Sequence, residues 1–168
     1  MKSRMKSRIL MCITAMTLFA ALALPATAQK PIIQLTPFTS FFVSAADACG
    51  FDVLFTPEPG RPNLERVIQF TNTEITVGPL FVTLTNLSTQ KTINLNISGP
   101  GQFLFTTNTF VSEGPSIPGP LPANVATAAG LPLLPLFHGR AVFTFDAQGN
   151  LTSISFTGAV QDVCQLLQ

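Results

Sequence analysis

Apolar and polar residues alternate along most of the chain from residue 48 onward, and turn-forming residues separate the alternating runs. In residues 49–56, for example, Cys49, Phe51, Val53 and Phe55 occupy every second position. Successive side chains of a strand point to opposite faces, so a period of two is typical of strands with one buried face. The pattern predicts an all-β protein built from antiparallel strands.

Two hairpins stand out from this pattern. The first joins residues 80–85 to residues 92–98 through a turn at residues 86–90. The second joins residues 140–145 to residues 151–157 through a turn that contains Gly149, the residue type expected in such a loop. After Gly158, residues 160–166 are predicted to form a last strand, which carries Cys164.

Residues 65–71 give a weaker signal. One set of alternate positions contains Arg66 and Ile68, and the other contains Glu65 and Val67. Neither set is uniformly apolar, so alternation alone leaves the inward face of this strand open.

Residues 113–135 interrupt the alternation. The segment is rich in proline and glycine, which favour loops because proline cannot donate to a strand ladder. Only its alanine-rich part, residues 124–130, is predicted to form a short helical turn. A loop of this length is often functional, and the alternative is an insertion that merely covers the end of a sheet.

The order of the strands suggests how the sheet is arranged. Mostly sequential hairpins favour a meander that closes into an antiparallel barrel of about eight strands, because closure removes free strand edges. A two-sheet β-sandwich is the alternative that also fits. We expect residues 29–168 to form this single all-β domain, with the loop at about 113–135 inserted in it.

Residues 1–28 have the three parts of a secretory signal peptide. A basic head at residues 2–8 precedes an apolar run at residues 9–24, and residues 25–28 (Pro-Ala-Thr-Ala) supply the small residues of a signal-peptidase site. The apolar run is short for a membrane span. We therefore expect cleavage before Gln29 and a secreted, extracellular product without a transmembrane segment.

Removal of this segment changes the charge of the chain. Four of the nine basic residues lie in it, so five basic residues remain against eight acidic ones, and the formal charge becomes −3 instead of +1. No basic cluster is left, which argues against nucleic acid as a partner. The remaining residues contain fourteen of the fifteen phenylalanines and neither Trp nor Tyr, and this apolar content is sufficient for a core.

Cysteine usage follows the same division. Cys12 lies in the predicted signal peptide, and Cys49 and Cys164 remain as a pair. An even pair in an oxidising compartment predicts one disulfide, which would join the first strong strand to the last. A redox or catalytic thiol is the alternative, but the chain has no C-x-x-C. Asp52 and Asp162, each near one of these cysteines in sequence, either form an acid pair or face outward.

Motifs for catalysis, nucleotide binding and zinc binding are missing: the chain has no G-x-S-x-G, P-loop, dinucleotide fingerprint or zinc-ligand spacing. No cofactor or metal is expected. The one polar cluster is His138-Gly139-Arg140, which either places an imidazole and a guanidinium at the mouth of a pocket or is a strand end with two solvated polar side chains. Together with Phe143 and Phe145, His138 and Arg140 form the candidate ligand-binding set.

Four short segments carry a resemblance to other proteins. They are Cys49-Gly50-Phe51, the hairpin at residues 83–101, the hairpin at residues 143–152, and Asp162-Val163-Cys164. In these turns and strand patterns the chain resembles uncharacterised small secreted all-β proteins of actinobacteria and other soil bacteria, over residues 48–167. The resemblance implies a secreted all-β fold and implies no catalytic residues.

Three functions fit these observations. The first is a secreted, non-enzymatic β-domain that binds a small apolar ligand in a phenylalanine-rich interior, or acts at the cell surface. The alternative is a barrel-type isomerase or cyclase that steers an apolar substrate, and the third is a structural or adhesive coat component. A cavity above about 300 Å³ with His138 or Arg140 at its mouth would favour binding, whereas a solid core would leave only surface interaction.

Overall fold

Eleven strands and two short helices make up residues 30–168, which are the residues that the computed structural model describes. The predicted signal peptide lies outside these residues. The strands are β1 (Ile32–Pro37), β2 (Phe41–Val43), β3 (Val53–Pro57), β4 (Leu64–Gln69), β5 (Thr73–Val77), β6 (Phe81–Asn86), β7 (Thr92–Asn96), β8 (Gly101–Leu104), β9 (Thr109–Ser116), β10 (Pro135–Phe145) and β11 (Leu151–Asp162). The helices are α1 (Ala123–Ala129) and α2 (Val163–Leu166).

The strands form two antiparallel sheets. The larger sheet has the order β1-β4-β5-β8-β9-β10-β11, and the smaller has the order β2-β3-β6-β7. The prediction of an all-β antiparallel fold is confirmed, but a closed barrel is not found. β1 and β11, whose pairing would close the larger sheet, lie at its opposite edges. The arrangement is the sandwich-like, two-sheet alternative.

The departure from a simple meander occurs at two crossings between the sheets. After β5 the chain passes to the smaller sheet through Gly78 and Pro79, and after β7 it returns through Gly99 and Pro100. Proline fixes φ and cannot donate to a ladder, so it ends pairing at both places. The β6–β7 hairpin therefore pairs with β3, while β5 pairs with β8.

Both predicted hairpins are confirmed, because β6 pairs with β7 and β10 pairs with β11. The end of the chain differs from the prediction. β11 continues through Gly158 to Asp162, and Cys164 lies in α2 instead of a last strand. Between the two hairpins, β8 and β9 pair with each other across the turn at residues 105–108.

The predicted loop at about 113–135 is shorter than expected. β9 extends to Ser116 and β10 begins at Pro135, so both strands include part of the segment predicted to be a loop. The predicted helical turn is present as α1, which ends at Gly130 in the left-handed conformation (φ 65°). Glycine is favoured there because it lacks the Cβ that would clash.

Two hydrophobic clusters form the core of the described residues. The first packs the smaller sheet against the start of β10 and the C-terminal helix α2, and its most buried side chains are Val53, Phe55, Val82, Leu84, Leu134, Leu136, Val163 and Leu167. The second lies on one face of β10 and contains Phe137, Ala141 and Phe143. Consecutive strand residues point to opposite faces, so Leu136 joins the first cluster and Phe137 joins the second.

A row of glycines crosses the larger sheet. Gly114, Gly139 and Gly158 lie opposite one another on β9, β10 and β11, and their φ angles are 78°, 146° and 110°. A Cβ at Gly139 would collide with the carbonyl oxygen of Thr157, and one at Gly158 would collide with that of His138. Close backbone approach and positive φ thus both require glycine at positions 139 and 158.

The predicted disulfide joins Cys49 to Cys164, with 5.1 Å between their Cα atoms. Cys49 lies in the turn before β3, and Cys164 lies in α2. The bridge therefore connects a turn to a helix, although the sequence pattern indicates two strands. It ties the smaller sheet to the end of the chain across a separation of 115 residues.

Candidate functional site

The four residues of the candidate ligand-binding set all belong to β10. His138 and Arg140 have even numbers, while Phe143 and Phe145 have odd numbers, so the two pairs point to opposite faces of the sheet. The structure therefore does not bring the polar pair and the aromatic pair together.

His138 and Arg140 lie on the solvated face. His138 Nε2 is 3.1 Å from Gln161 Oε1, and Arg140 Nε is 3.1 Å from Glu113 Oε1. The side chains of this ion pair are 53% and 54% exposed, and an exposed pair contributes about 0.2–1 kcal/mol. A depression of about 90 Å³ lies beside Arg140, room for on the order of three water molecules. This face has the character of a polar sheet surface.

Phe143 and Phe145 lie on the opposite, apolar face. The ring of Phe143 packs edge-on against Phe137, with 5.7 Å between centroids, and lies 5.9 Å from the ring of Phe110. The ring of Phe145 lies 6.0 Å from that of Phe103. Phe143 is buried in the second cluster, and its ring also borders the cleft described below.

Asp52 and Asp162 each bind a nearby backbone group. Asp52 Oδ1 accepts a hydrogen bond from the Ala45 N–H at 2.7 Å, in the turn that precedes β3. Asp162 Oδ1 accepts from the Cys164 N–H at 2.9 Å and caps α2. Each carboxylate thus has a local backbone partner, and these bonds position the two segments that carry the disulfide.

A cleft lies where the chain crosses between the two sheets. Leu80 and Ile97, one on each crossing, form part of its wall, and the Ile97 N–H donates to the Leu80 carbonyl oxygen at 2.9 Å. The Ser98 hydroxyl accepts from the Leu80 N–H at 2.7 Å. The Gly99 N–H donates to the Pro115 carbonyl oxygen at 3.0 Å. These bonds tie the two crossings to each other and to β9, and so fix the wall.

The cleft has a volume of about 260 Å³ and a largely apolar lining. Its apolar side chains are Leu80, Ile97, Phe110, Ile117, Pro118 and Phe143. Its polar side chains are Glu65, Thr76, Ser112 and Ser116. This volume lies just below the range for small-molecule sites, which begins at about 300 Å³, and neither His138 nor Arg140 lines the cleft, so it does not meet the criterion that the sequence suggested for a binding cavity. Among the four predicted ligand-site residues, Phe143 alone lines it.

Glu65 is the one ionisable side chain among the lining residues. Burial raises the pKa of its carboxyl above the ordinary value of 4.5, because the charged form loses contact with water. Within residues 30–168 this carboxylate has no hydrogen-bonding or ion-pair partner. The cleft therefore presents a partly desolvated negative charge to any occupant.

The floor of the cleft depends on two close contacts. The Ser112 and Ser116 hydroxyls lie 3.0 Å apart, and Ser112 is only 2% exposed. The ring of Phe110 lies across Gly101, where a Cβ would be 2.6 Å from the nearest ring carbon. Glycine at position 101 therefore leaves the space that the Phe110 ring occupies over β8.

Sequence reasoning did not select Glu65. In β4 the alternate positions carry Glu65 and Val67 on one face, and Arg66 and Ile68 on the other. Each face has one charged and one apolar residue, so local alternation could not show which carboxylate or guanidinium points inward. The lining of the cleft shows that Glu65 does.

Metal binding requires a cluster of ligating side chains, and crossing a membrane as a helix requires a long apolar segment. In the described part of the chain, no group of three or more His, Cys, Asp and Glu side chains is arranged to hold a metal ion. Neither helix in that part is long and apolar enough to cross a membrane.

Fold and cleft together define the class: a disulfide-bonded, two-sheet antiparallel β-domain with an apolar cleft at the crossings between the sheets. No protein-family model, curated protein or solved structure matches the chain.

Proposed function

We propose that the protein is a secreted, non-enzymatic β-domain that binds a small, largely apolar ligand in the cleft between its sheets. The observation that carries this proposal is the lining of the cleft, in which six apolar side chains surround four polar ones. A predominantly apolar wall with a few polar groups is typical of small-molecule sites. Secretion is supported by the signal-like residues 1–28 and by the Cys49–Cys164 bridge.

Native mass spectrometry of protein purified from its own host tests this proposal. We expect a retained small molecule, or binding of small apolar compounds that raises the melting temperature. Thr76→Phe, which fills the cleft, should abolish binding, whereas Thr92→Phe on the exposed edge strand β7 should leave it unchanged. Equal binding by wild type and Thr76→Phe would show that the cleft is not the site.

A barrel-type isomerase or cyclase is the enzymatic alternative from the sequence, and Glu65 supports a related activity for the cleft. A carboxyl that lines a cleft without a partner, and whose pKa burial raises, is the kind of group that can transfer a proton to or from a bound compound. Incubation with a bound compound distinguishes the two functions. A binding domain returns the compound unchanged, whereas an isomerase or cyclase converts it to a product of equal mass and different retention time.

Action at the cell surface is a further candidate, and β1 supports it. Ile32, Ile33 and Leu35 are 57%, 62% and 59% exposed on this edge strand. An apolar, uncharged edge is a template for contact with other surfaces or strands. Sedimentation of the protein with washed host cells, compared with Ile33→Lys, would reveal such contact as a loss of binding in the variant.

A further inference from the structure

The lining of the cleft has one charged side chain, which is negative. This side chain is Glu65, and the lining includes no Lys, Arg or His. Arg66, the next residue along β4, points to the opposite face of the strand. Arg140 is engaged by Glu113 on the solvated face of the sheet. An occupant with a cationic end would therefore meet a carboxylate that no lining residue neutralises.

Resting on the proposed function, we propose that the ligand is a small amine with an apolar body. The apolar part contacts Leu80, Ile97 and Phe110, and the ammonium group pairs with Glu65. An ammonium carries three donors, and the Thr76 hydroxyl, on the strand that pairs with β4, is a further acceptor in the lining.

Other ligand chemistries fit this cleft less well. A carboxylate would be repelled by the like charge of Glu65, and a neutral molecule would cover that charge without pairing it. A charge buried without a partner costs more than one that is paired and hydrogen-bonded. The cleft thus discriminates by charge while its walls select an apolar body.

The size of the cleft sets the size of the probe. A water molecule takes up about 30 Å³ in the liquid, so 260 Å³ accommodates on the order of nine non-hydrogen atoms. 2-Phenylethylamine has this size, and 2-phenylethanol is its neutral counterpart with a hydroxyl in place of the amine. Phenylacetate supplies a similar body with a negative charge.

Calorimetric or NMR titration of these three probes at neutral pH tests the proposal, using protein produced from the full-length sequence. Three forms are compared: wild type, Glu65→Gln and Glu74→Gln. Glu74 is a matched control, because it lies on the neighbouring strand β5 and does not line the cleft. We expect wild type to bind the amine at least about tenfold more tightly than the alcohol, since a charge-assisted bond replaces a neutral one.

Glu65→Gln should remove this preference, whereas Glu74→Gln should retain it. Equal affinity for amine and alcohol, or tightest binding of phenylacetate, would overturn the assignment of an amine and leave the binding function standing. Retention of the amine preference in Glu65→Gln would overturn the role of this carboxylate. If none of the probes binds the cleft in any form, both the amine and the proposed function are refuted.

Discussion

Buried polar side chains in this protein differ in their effect on the stability of the folded state. Glu65 is partly buried and Asn86 is almost fully buried, but only Asn86 has hydrogen-bonding partners for its side chain among the described residues. A withdrawn group without partners weakens the folded state, and one with partners strengthens it. Opposite stability effects are therefore expected when the two residues are replaced.

Replacing Glu65 by Gln should stabilise the protein at neutral pH. Because burial raises the pKa of this carboxyl in the folded state, the folded protein binds the proton more tightly than the unfolded chain. The ionised carboxylate therefore destabilises the fold above its raised pKa, and this penalty disappears as the pH falls below 4.5.

Urea unfolding followed by circular dichroism between pH 3 and pH 8, about the range over which carboxyl groups titrate, checks the sign. The gain from Glu65→Gln should be present at neutral pH and absent in acid, and Glu74→Gln serves as the control. A gain that is constant with pH would contradict desolvation of the carboxylate as its cause.

Replacing Asn86 by Ala should destabilise the protein by about 1–3 kcal/mol. The Asn86 side chain donates to the Leu167 carbonyl oxygen at 3.1 Å, and its Oδ1 accepts from the Ser88 N–H at 2.9 Å. Asn86 is 2% exposed, so water cannot replace these bonds. The free energy of unfolding measures the loss, with the exposed Asn124→Ala in α1 as a control that should change little.

At the scale of elements, α2 is too short to be stable by itself. It spans four residues, and isolated helices shorter than about 12 residues are marginal in water. The Asp162 cap, the buried side chains of Val163 and Leu167, and the disulfide at Cys164 hold it in place. The bridge therefore anchors the segment that closes the first hydrophobic cluster.

The double variant Cys49→Ser, Cys164→Ser should lose up to about 4.7 kcal/mol of unfolding free energy, the value for a loop of about 100 residues. Denaturant unfolding of wild type with and without reductant gives the comparison, and the variant should not respond to reductant. Two free thiols, detected by alkylation and intact mass of unreduced secreted protein, would contradict the bridge.

The hairpins were predictable from sequence, and the division into two sheets was not. Val82 and Leu84 alternate with polar neighbours within six residues, so β6 is recognisable from its own sequence. Whether the β6–β7 hairpin stays beside β5 depends on the bends at Gly78 and Gly99, which local alternation does not encode. The cleft lies between these bends, and hence its lining could not be predicted either.

At the scale of the whole molecule, β10 connects the two hydrophobic clusters, since Leu136 belongs to one and Phe137 to the other. The row of glycines at 114, 139 and 158 crosses the sheet two residues beyond Phe137. A disturbance in this row should therefore loosen both clusters at once, and the described domain should unfold in one cooperative transition.

Gly139→Ala tests this coupling. The substitution costs about 1–3 kcal/mol for the unfavourable backbone conformation and a comparable amount for the collision with the Thr157 carbonyl group. Gly149→Ala is the matched control, because Gly149 also has a positive φ (83°) but an added methyl group there would meet no atom within 4 Å. Amide hydrogen exchange should show lower protection around both Phe143 and Cys164 in Gly139→Ala; loss around only one would contradict the coupling.

The glycine row extends beyond the sheet, because a Cβ at Gly99 in the crossing segment would collide with the carbonyl oxygens of Glu113 and Pro115, which flank Gly114. Four chain segments thus meet through their backbones, with no side chain at the contact. An alanine scan, which identifies important positions by truncating side chains, has nothing to remove there. Alanine at these glycines adds a methyl group instead, so a loss of stability there reports crowding of the backbone and not the removal of a side-chain contact.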